Sequence, residues 1–327
     1  MHAIRPQPAA ASVARARALL IGATLLWGMS FPLTRGIELA QRMHVPPMPD
    51  AALAAANMAL RFGLAALVLL PFFGAGLRNV TRREWSQAIV LGLLACAGLY
   101  LQTLGLIWTD ASVAAFLTQL YTLIVPLIVA VRDRRLPTAR TFVACGLVLA
   151  GAMLLSPGIM QHLRPGWGEI IIVLGTGFIA AQIVCLERPV YAENRAGVVT
   201  LLMFTIITLV SLVLAPLAGG TVGGIPSTCA GPAVWEMMAA LVLFCTALSF
   251  FIMNQWQRWV SATEAGLIYC LEPIVATVVC SFLPGWISAL AGVNYPNEAL
   301  TWNLFAGGSL IVAATILVVT QKRTASG

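Results

Sequence analysis

Apolar residues gather in ten runs of about 20, at 18–40, 51–73, 86–108, 111–131, 138–155, 168–188, 198–218, 234–256, 262–284 and 303–320. A helix of about 20 apolar residues crosses a hydrocarbon core of about 30 Å. In lipid only a helix or a closed barrel satisfies its own backbone donors and acceptors. Each run therefore predicts one transmembrane helix, and the fold class is all-α integral membrane with ten spans. Only Thr109 and Asp110 part the third and fourth runs, which demands a tight hairpin. Pro46, Pro47 and Pro49, and the Gly/Pro-rich stretch 219–232, mark the longer loops. The resulting organisation is an amino-terminal tail at 1–17, a five-helix unit at 18–155 and an external linker at 156–167. A second five-helix unit follows at 168–320, then a carboxy-terminal tail at 321–327. The first run is too long for the apolar region of a secretory signal and reads as a span.

Composition agrees: 60% of the 327 residues are hydrophobic and 9% are charged, with mean hydropathy +0.90, against about 25% charged in soluble domains. A net charge of +7 suits nucleic acid or anionic lipid, and its distribution decides between them. With the amino terminus in the cytoplasm, 15 of the 19 basic residues fall on that side, from Arg5, Arg15 and Arg17 to Lys322 and Arg323. Arg35, Arg42 and Arg164 lie opposite, and Arg61 lies within a span. This is the positive-inside asymmetry of a multi-pass protein with both termini cytoplasmic. The expected partner is thus the lipid bilayer, with no nucleic acid. Arginine outnumbers lysine 18 to 1, a bias of GC-rich bacterial genomes, so the expected location is a bacterial inner (cytoplasmic) membrane. Eight of the nine tryptophans sit near span ends and Trp27 alone lies mid-span. The seven cysteines show no metal or redox spacing and read as small packing residues.

The chain also resembles itself. Residues 111–117 (ASVAAFL) open the fourth span as 262–268 (ATEAGLI) open the ninth, and Gly146–Gly151 compares with Gly308–Ala313. An odd number of spans per unit makes equivalent helices run in opposite directions, an inverted-topology repeat that favours alternating access between the halves. The segment Pro284 to Pro296 reads as a loop extension of the second unit. On the pieces LLWGMSFPLTRG (25–36), LRFGLAALVLLP (60–71), ASVAAFLTQLYTLIVPL (111–127) and SATEAGLIYCLEPIVATVV (261–279), the chain resembles the bacterial EamA-domain transporters of the drug/metabolite transporter superfamily. The resemblance implies two inverted five-helix EamA-like repeats around a central cavity. It also implies secondary transport of small-molecule substrates, often export of amino acids or related metabolites. Arg134-Arg135 replaces an acidic residue expected after the fourth helix, and Glu298 stands as the displaced counterpart of one after the ninth.

An ionisable side chain in hydrocarbon costs about 2.5–3.5 kcal/mol, which singles out Arg61 and Glu272. Most of the acids, Glu38 among them, lie in loops or near span ends. Glu272 reads as a proton-coupling carboxylate, a ligand for a cationic substrate group, a partner of Arg61, or an acid hydrogen-bonded within the helix kinked by Pro273. Arg61 reads as a ligand for a substrate anion or as the balance of a buried acid. Trp27, Ser30 and Thr34 share one face of the first helix. Tyr100, Gln102, Gln119, Tyr121, Gln182, Asn254 and Tyr269 complete the candidate lining, each with the alternative of a helix–helix hydrogen bond. Pro32, Pro126 and Pro273 are the expected kinks. There is no P-loop, GxSxG or HExxH, so neither ATP-driven transport nor an enzyme is expected, and no cofactor or metal. A membrane enzyme acting on lipid would need clustered His, Asp or Ser at the interface. Multidrug efflux, nucleotide-sugar or sugar-phosphate exchange, and a non-transporting receptor or scaffold remain as alternatives.

Overall fold

The computed structural model describes residues 10–44, 48–109, 111–134, 136–155, 166–220, 231–299 and 301–319, and among these it is all-helical. The linker expected at 156–167, except its last two residues, and the carboxy-terminal tail lie outside the described residues, as does Cys229. The helices are α1 (Ala10–Gly28), α2 (Ser30–His44), α3 (Asp50–Phe73), α4 (Arg82–Leu106), α5 (Ala111–Thr118), α6 (Tyr121–Asp133), α7 (Ala139–Leu155) and α8 (Trp167–Leu186). They continue as α9 (Ala196–Leu217), α10 (Pro232–Val242), α11 (Ser249–Trp256), α12 (Ala262–Tyr269), α13 (Glu272–Cys280), α14 (Leu283–Ala291) and α15 (Trp302–Val319). Eight helical stretches are long and apolar enough to cross a bilayer: Ala11–Met43, Asp50–Asn79, Arg82–Leu106, Val113–Asp133, Trp167–Leu186, Ala196–Leu217, Pro232–Trp259 and Ala262–Cys280. The apolar helices Ala139–Leu154 and Phe305–Leu317, at the fifth and tenth expected spans, are shorter.

Several spans are broken, and local chemistry explains where. Pro32 has no N–H to give the Gly28 carbonyl, and α1 ends there, restarting at Ser30. Pro273 follows the break between α12 and α13 in the same way. Pro126 behaves differently, because α6 runs through it and the break lies two turns earlier, at Gln119–Leu120. The Thr122 carbonyl that Pro126 leaves without its helical donor accepts instead from the Cys145 thiol at 3.2 Å. Between α10 and α11 a π-helical segment, Leu243–Leu248, inserts its wider turn.

The segment expected as a loop after Pro284 instead forms α14, started by proline in its first turn and ended by Gly292 in the left-handed conformation at φ 67°. At the basic end, α4 begins with a capping box in which Thr81 Oγ1 accepts from the Glu84 N–H and the Glu84 carboxylate accepts from the Thr81 N–H.

The helices pack in a recurring scheme. α3 lies on α9, α4 on α8, and α7 on α15; α1 packs against α11 and α13, and α6 against α8 and α12. The α4–α8 contact is close because it is lined with glycine. A methyl group on Gly105 would stand 2.7 Å from the Gly168 carbonyl oxygen, and one on Gly175 2.8 Å from that of Gly98. The outer surface is apolar: Leu67, Phe72, Leu174, Leu209 and Val213 are exposed, and Trp85, Trp108, Trp167, Trp235, Trp286 and Trp302 are exposed near helix ends. Six cysteines among the described residues are buried and free.

Candidate functional site

The broken helices meet inside the bundle. Gly266 of α12 leaves room for the Tyr121 ring at the start of α6, whose edge lies 4.0 Å from the position a methyl group would take. Trp27 packs edge-on against Tyr269 (ring centroids 5.2 Å apart) and Phe250 (5.5 Å). Glu272 is the first residue of α13, where the exposed N–H groups of the helix start favour negative charge. It is 8% exposed and, among the described residues, makes no hydrogen bond or ion pair. Tyr269 donates to Gln257 Oε1 at 2.8 Å, and Gln257 Nε2 donates to the Ile183 carbonyl at 2.7 Å, which ties this centre to α8.

Several polar atoms near this centre are buried without a hydrogen-bond partner among the described residues: Trp27 Nε1, Gln119 Oε1, the Tyr121 hydroxyl and Ser249 Oγ. Leaving such a group unpaired costs about 1–3 kcal/mol. They stand at or beside the interruptions of three spans, and each is a donor or acceptor that a polar solute or water could engage.

A second polar group lies between α2, α3, α4 and the π segment. Arg61 is buried, and its Nε donates to Thr246 Oγ1 at 2.7 Å. With Thr34, Asn57 and Thr103 it lines a cavity of about 10 Å³, room for about one water. The space beside Arg61 is therefore far below the size of a metabolite. Arg61 and Glu272 form no ion pair, so the pairing considered from the sequence is absent. Beside this group, Gln41 and Asn57 exchange two amide hydrogen bonds, at 2.7 and 2.9 Å.

Residues 15–156 match the EamA-like transporter family. Over this segment, 142 of 327 residues, the chain is similar to that family. A protein of Archaeoglobus fulgidus named an uncharacterized transporter is 24% identical over 294 residues, covering 90% of this chain and 82% of that one. A solved crystal structure, 17% identical, shares the fold with a TM-score of 0.68 over 96% of this chain and 99% of that one. With eight membrane-length apolar helices among the described residues, the chain has the build of a multi-pass membrane protein.

The sequence-predicted residues divide in two. Trp27, Gln119, Tyr121, Tyr269 and Glu272 gather around the helix breaks, with Ser30 half-buried one turn from Trp27. Arg61 faces the small cavity. Asn254 donates to Thr200 Oγ1 at 2.9 Å, and Gln182 Nε2 lies 4.0 Å from the Met203 sulfur, both joining helices around α9. Tyr100 and Gln102 are spent on packing: the Tyr100 hydroxyl donates to the Ala51 carbonyl at 3.1 Å, and Gln102 Nε2 donates to Thr118 Oγ1 at 2.8 Å.

One residue was misplaced by sequence reasoning. Glu38, expected near a span end, is 0% exposed with both carboxylate oxygens free of hydrogen bonds, its nearest cation being Arg35 at 3.8 Å. The spacing Thr34, Glu38, Gln41 would have revealed it, since residues four and seven apart share a helix face.

Proposed function

We propose that this EamA-like transporter is a secondary active transporter of small polar metabolites, amino acids or related compounds, moving them outward across a bacterial inner membrane. It works by alternating access about the helix breaks, with residues 168–320 forming an inverted repeat of 18–155 and both termini in the cytoplasm. One observation carries this reading. The eight-residue helices α5 and α12 are followed by breaks at Gln119–Leu120 and Cys270–Leu271, the same register in the two halves, so Tyr121 and Glu272 occupy equivalent positions.

The packing supports the repeat. An exchange of halves carries α4 on α8 into α11 on α1, carries α6 on α8 into α13 on α1, and leaves α3 on α9 and α7 on α15 unchanged. Interrupted helices at mid-depth are tolerated in a membrane where they are buried in protein or line a cavity, and transporter sites are built from them. In this reading the narrow space beside Arg61 belongs to the occluded state. Glu272 binds the coupling proton or a substrate ammonium, Arg61 takes a substrate carboxylate, and Trp27, Tyr121 and Tyr269 form the walls. The test is flux of labelled amino acids and related metabolites in proteoliposomes. Glu272→Gln should abolish most flux and its pH dependence, and retention of both in that variant rules the carboxylate out.

A further inference from the structure

At the basic end of the bundle, the start of α1, the end of α3, the start of α9 and α11 enclose a groove of about 760 Å³, within the range of about 300–1,000 Å³ typical of ligand sites. Its walls are apolar, formed by Leu19, Phe72, Phe73, Leu248, Phe251 and Ile252, and its rim carries Arg15, Arg195, Gln255 and Trp256. Phe73 and Phe251 stack with ring centroids 5.3 Å apart and form the floor.

The two arginines at the rim differ in charge balance. Arg195 is spent: its Nε donates to Glu84 at 2.7 Å, and Nη2 donates to the Glu84 carboxylate and the Asn79 carbonyl. Arg15 lies over the Trp256 ring at 5.0 Å and has no carboxylate within ion-pair distance among the described residues. The neighbouring turn between α3 and α4 adds the exposed Arg78, Arg82 and Arg83, likewise without an ion pair there. An apolar trough under a rim with unbalanced positive charge complements a molecule with an acyl chain and an anionic head.

We propose that this groove binds one anionic phospholipid from the leaflet at the basic end, with its phosphate on Arg15 and an acyl chain along Phe73, Phe251 and Ile252. Basic pockets between membrane helices take anionic head groups, and each basic residue near the surface contributes on the order of 1 kcal/mol, about a five-fold change in affinity. Gly197 keeps the floor in place, since a methyl group there would stand 2.3 Å from the Phe73 ring. The site lies at the basic end of the helices and does not depend on which solute the protein carries.

The test is native mass spectrometry of the full chain in detergent, titrated with dioleoyl phosphatidylglycerol or dioleoyl phosphatidylcholine. The wild type should retain phosphatidylglycerol in preference to phosphatidylcholine. Arg15→Gln should weaken phosphatidylglycerol about five-fold while leaving phosphatidylcholine unchanged, and Arg15→Lys should restore most of the loss. Ile252→Trp, which fills the trough without altering charge, should weaken both lipids; it also carries the test should Arg15→Gln fail to fold. Equal retention of the two lipids, an Arg15→Gln affinity within two-fold of wild type, or displacement of the lipid by millimolar inorganic phosphate would overturn the assignment, the last pointing to a free-phosphate site.

Discussion

Replacing Arg61 by methionine separates a solute-binding cation from a structural one. The substitution keeps an unbranched side chain of similar length and removes the charge. It deletes the 2.7 Å bond to Thr246 Oγ1 and the longer contact to the Cys245 carbonyl. Hydrogen bonds to a charged group are worth about 1.5–3 kcal/mol. Against this, the buried guanidinium costs about 2.5–3.5 kcal/mol to hold in the membrane. The Thr246 hydroxyl keeps its own bond to the Leu241 carbonyl at 2.8 Å, so it is not stranded. Among the described residues no carboxylate lies within ion-pair distance to be left unbalanced, which removes the largest penalty of breaking a buried pair. The two terms nearly cancel, and Arg61→Met should change folding stability by no more than about 1 kcal/mol.

Transport should respond quite differently, because an arginine–carboxylate pair in a closed site has no substitute in methionine. Flux of carboxylate-bearing solutes should fall at least ten-fold, which corresponds to about 1.4 kcal/mol. The assay pairs thermal unfolding of the purified variant with proteoliposome exchange. A loss of more than about 3 kcal/mol in stability, with flux per folded molecule preserved, would show that the cancellation argument is wrong and that Arg61 serves the fold.

Other variants probe separate parts of the account. Gly105→Leu should destabilise by about 1–3 kcal/mol or more, since its side chain meets the Gly168 backbone; an unchanged unfolding midpoint would mean that α4 and α8 do not approach as described. Thr81→Ala removes the cap of α4 and should cost about 1 kcal/mol in denaturant unfolding, whereas Thr81→Ser should cost much less. Glu38→Gln, which neutralises a carboxyl with no hydrogen bond, should leave the unfolding midpoint level or higher; a clear drop would reveal an ionic role that the 3.8 Å approach of Arg35 does not provide.

Much of this architecture could be read from residue order, because bilayer thickness imposes a length on every span and the spacing of apolar runs reports it directly. The breaks at Pro32 and Pro273 were legible for the same reason, since a missing N–H is written in the sequence. The break at Gln119–Leu120 was not, because no proline or glycine stands there. It emerges only from register with Cys270–Leu271. Helix α14 was hidden because the segment from Pro284 to Pro296 read as a loop extension, yet Pro284 starts and Gly292 stops a short helix within it. Glu38 was misjudged because Arg35, Gln41 and Arg42 lower hydropathy around it, while α2 continues to His44 and turns Glu38 and Gln41 inward. Tyr100 and Gln102 show the converse limit. Spacing places a polar group on a helix face, but only packing decides whether that face meets a cavity or, as with Ala51 and Thr118, a neighbouring helix.

The central claim is that the buried centre at the helix breaks is reached in turn from both sides of the membrane. A single cysteine at Gln119, in a chain whose seven native cysteines are replaced, tests it most directly with membrane-impermeant thiol reagents applied from either face. Alternating access predicts labelling from each face, slowed by a transported solute. Labelling from one face only, or from neither under turnover conditions, would contradict it.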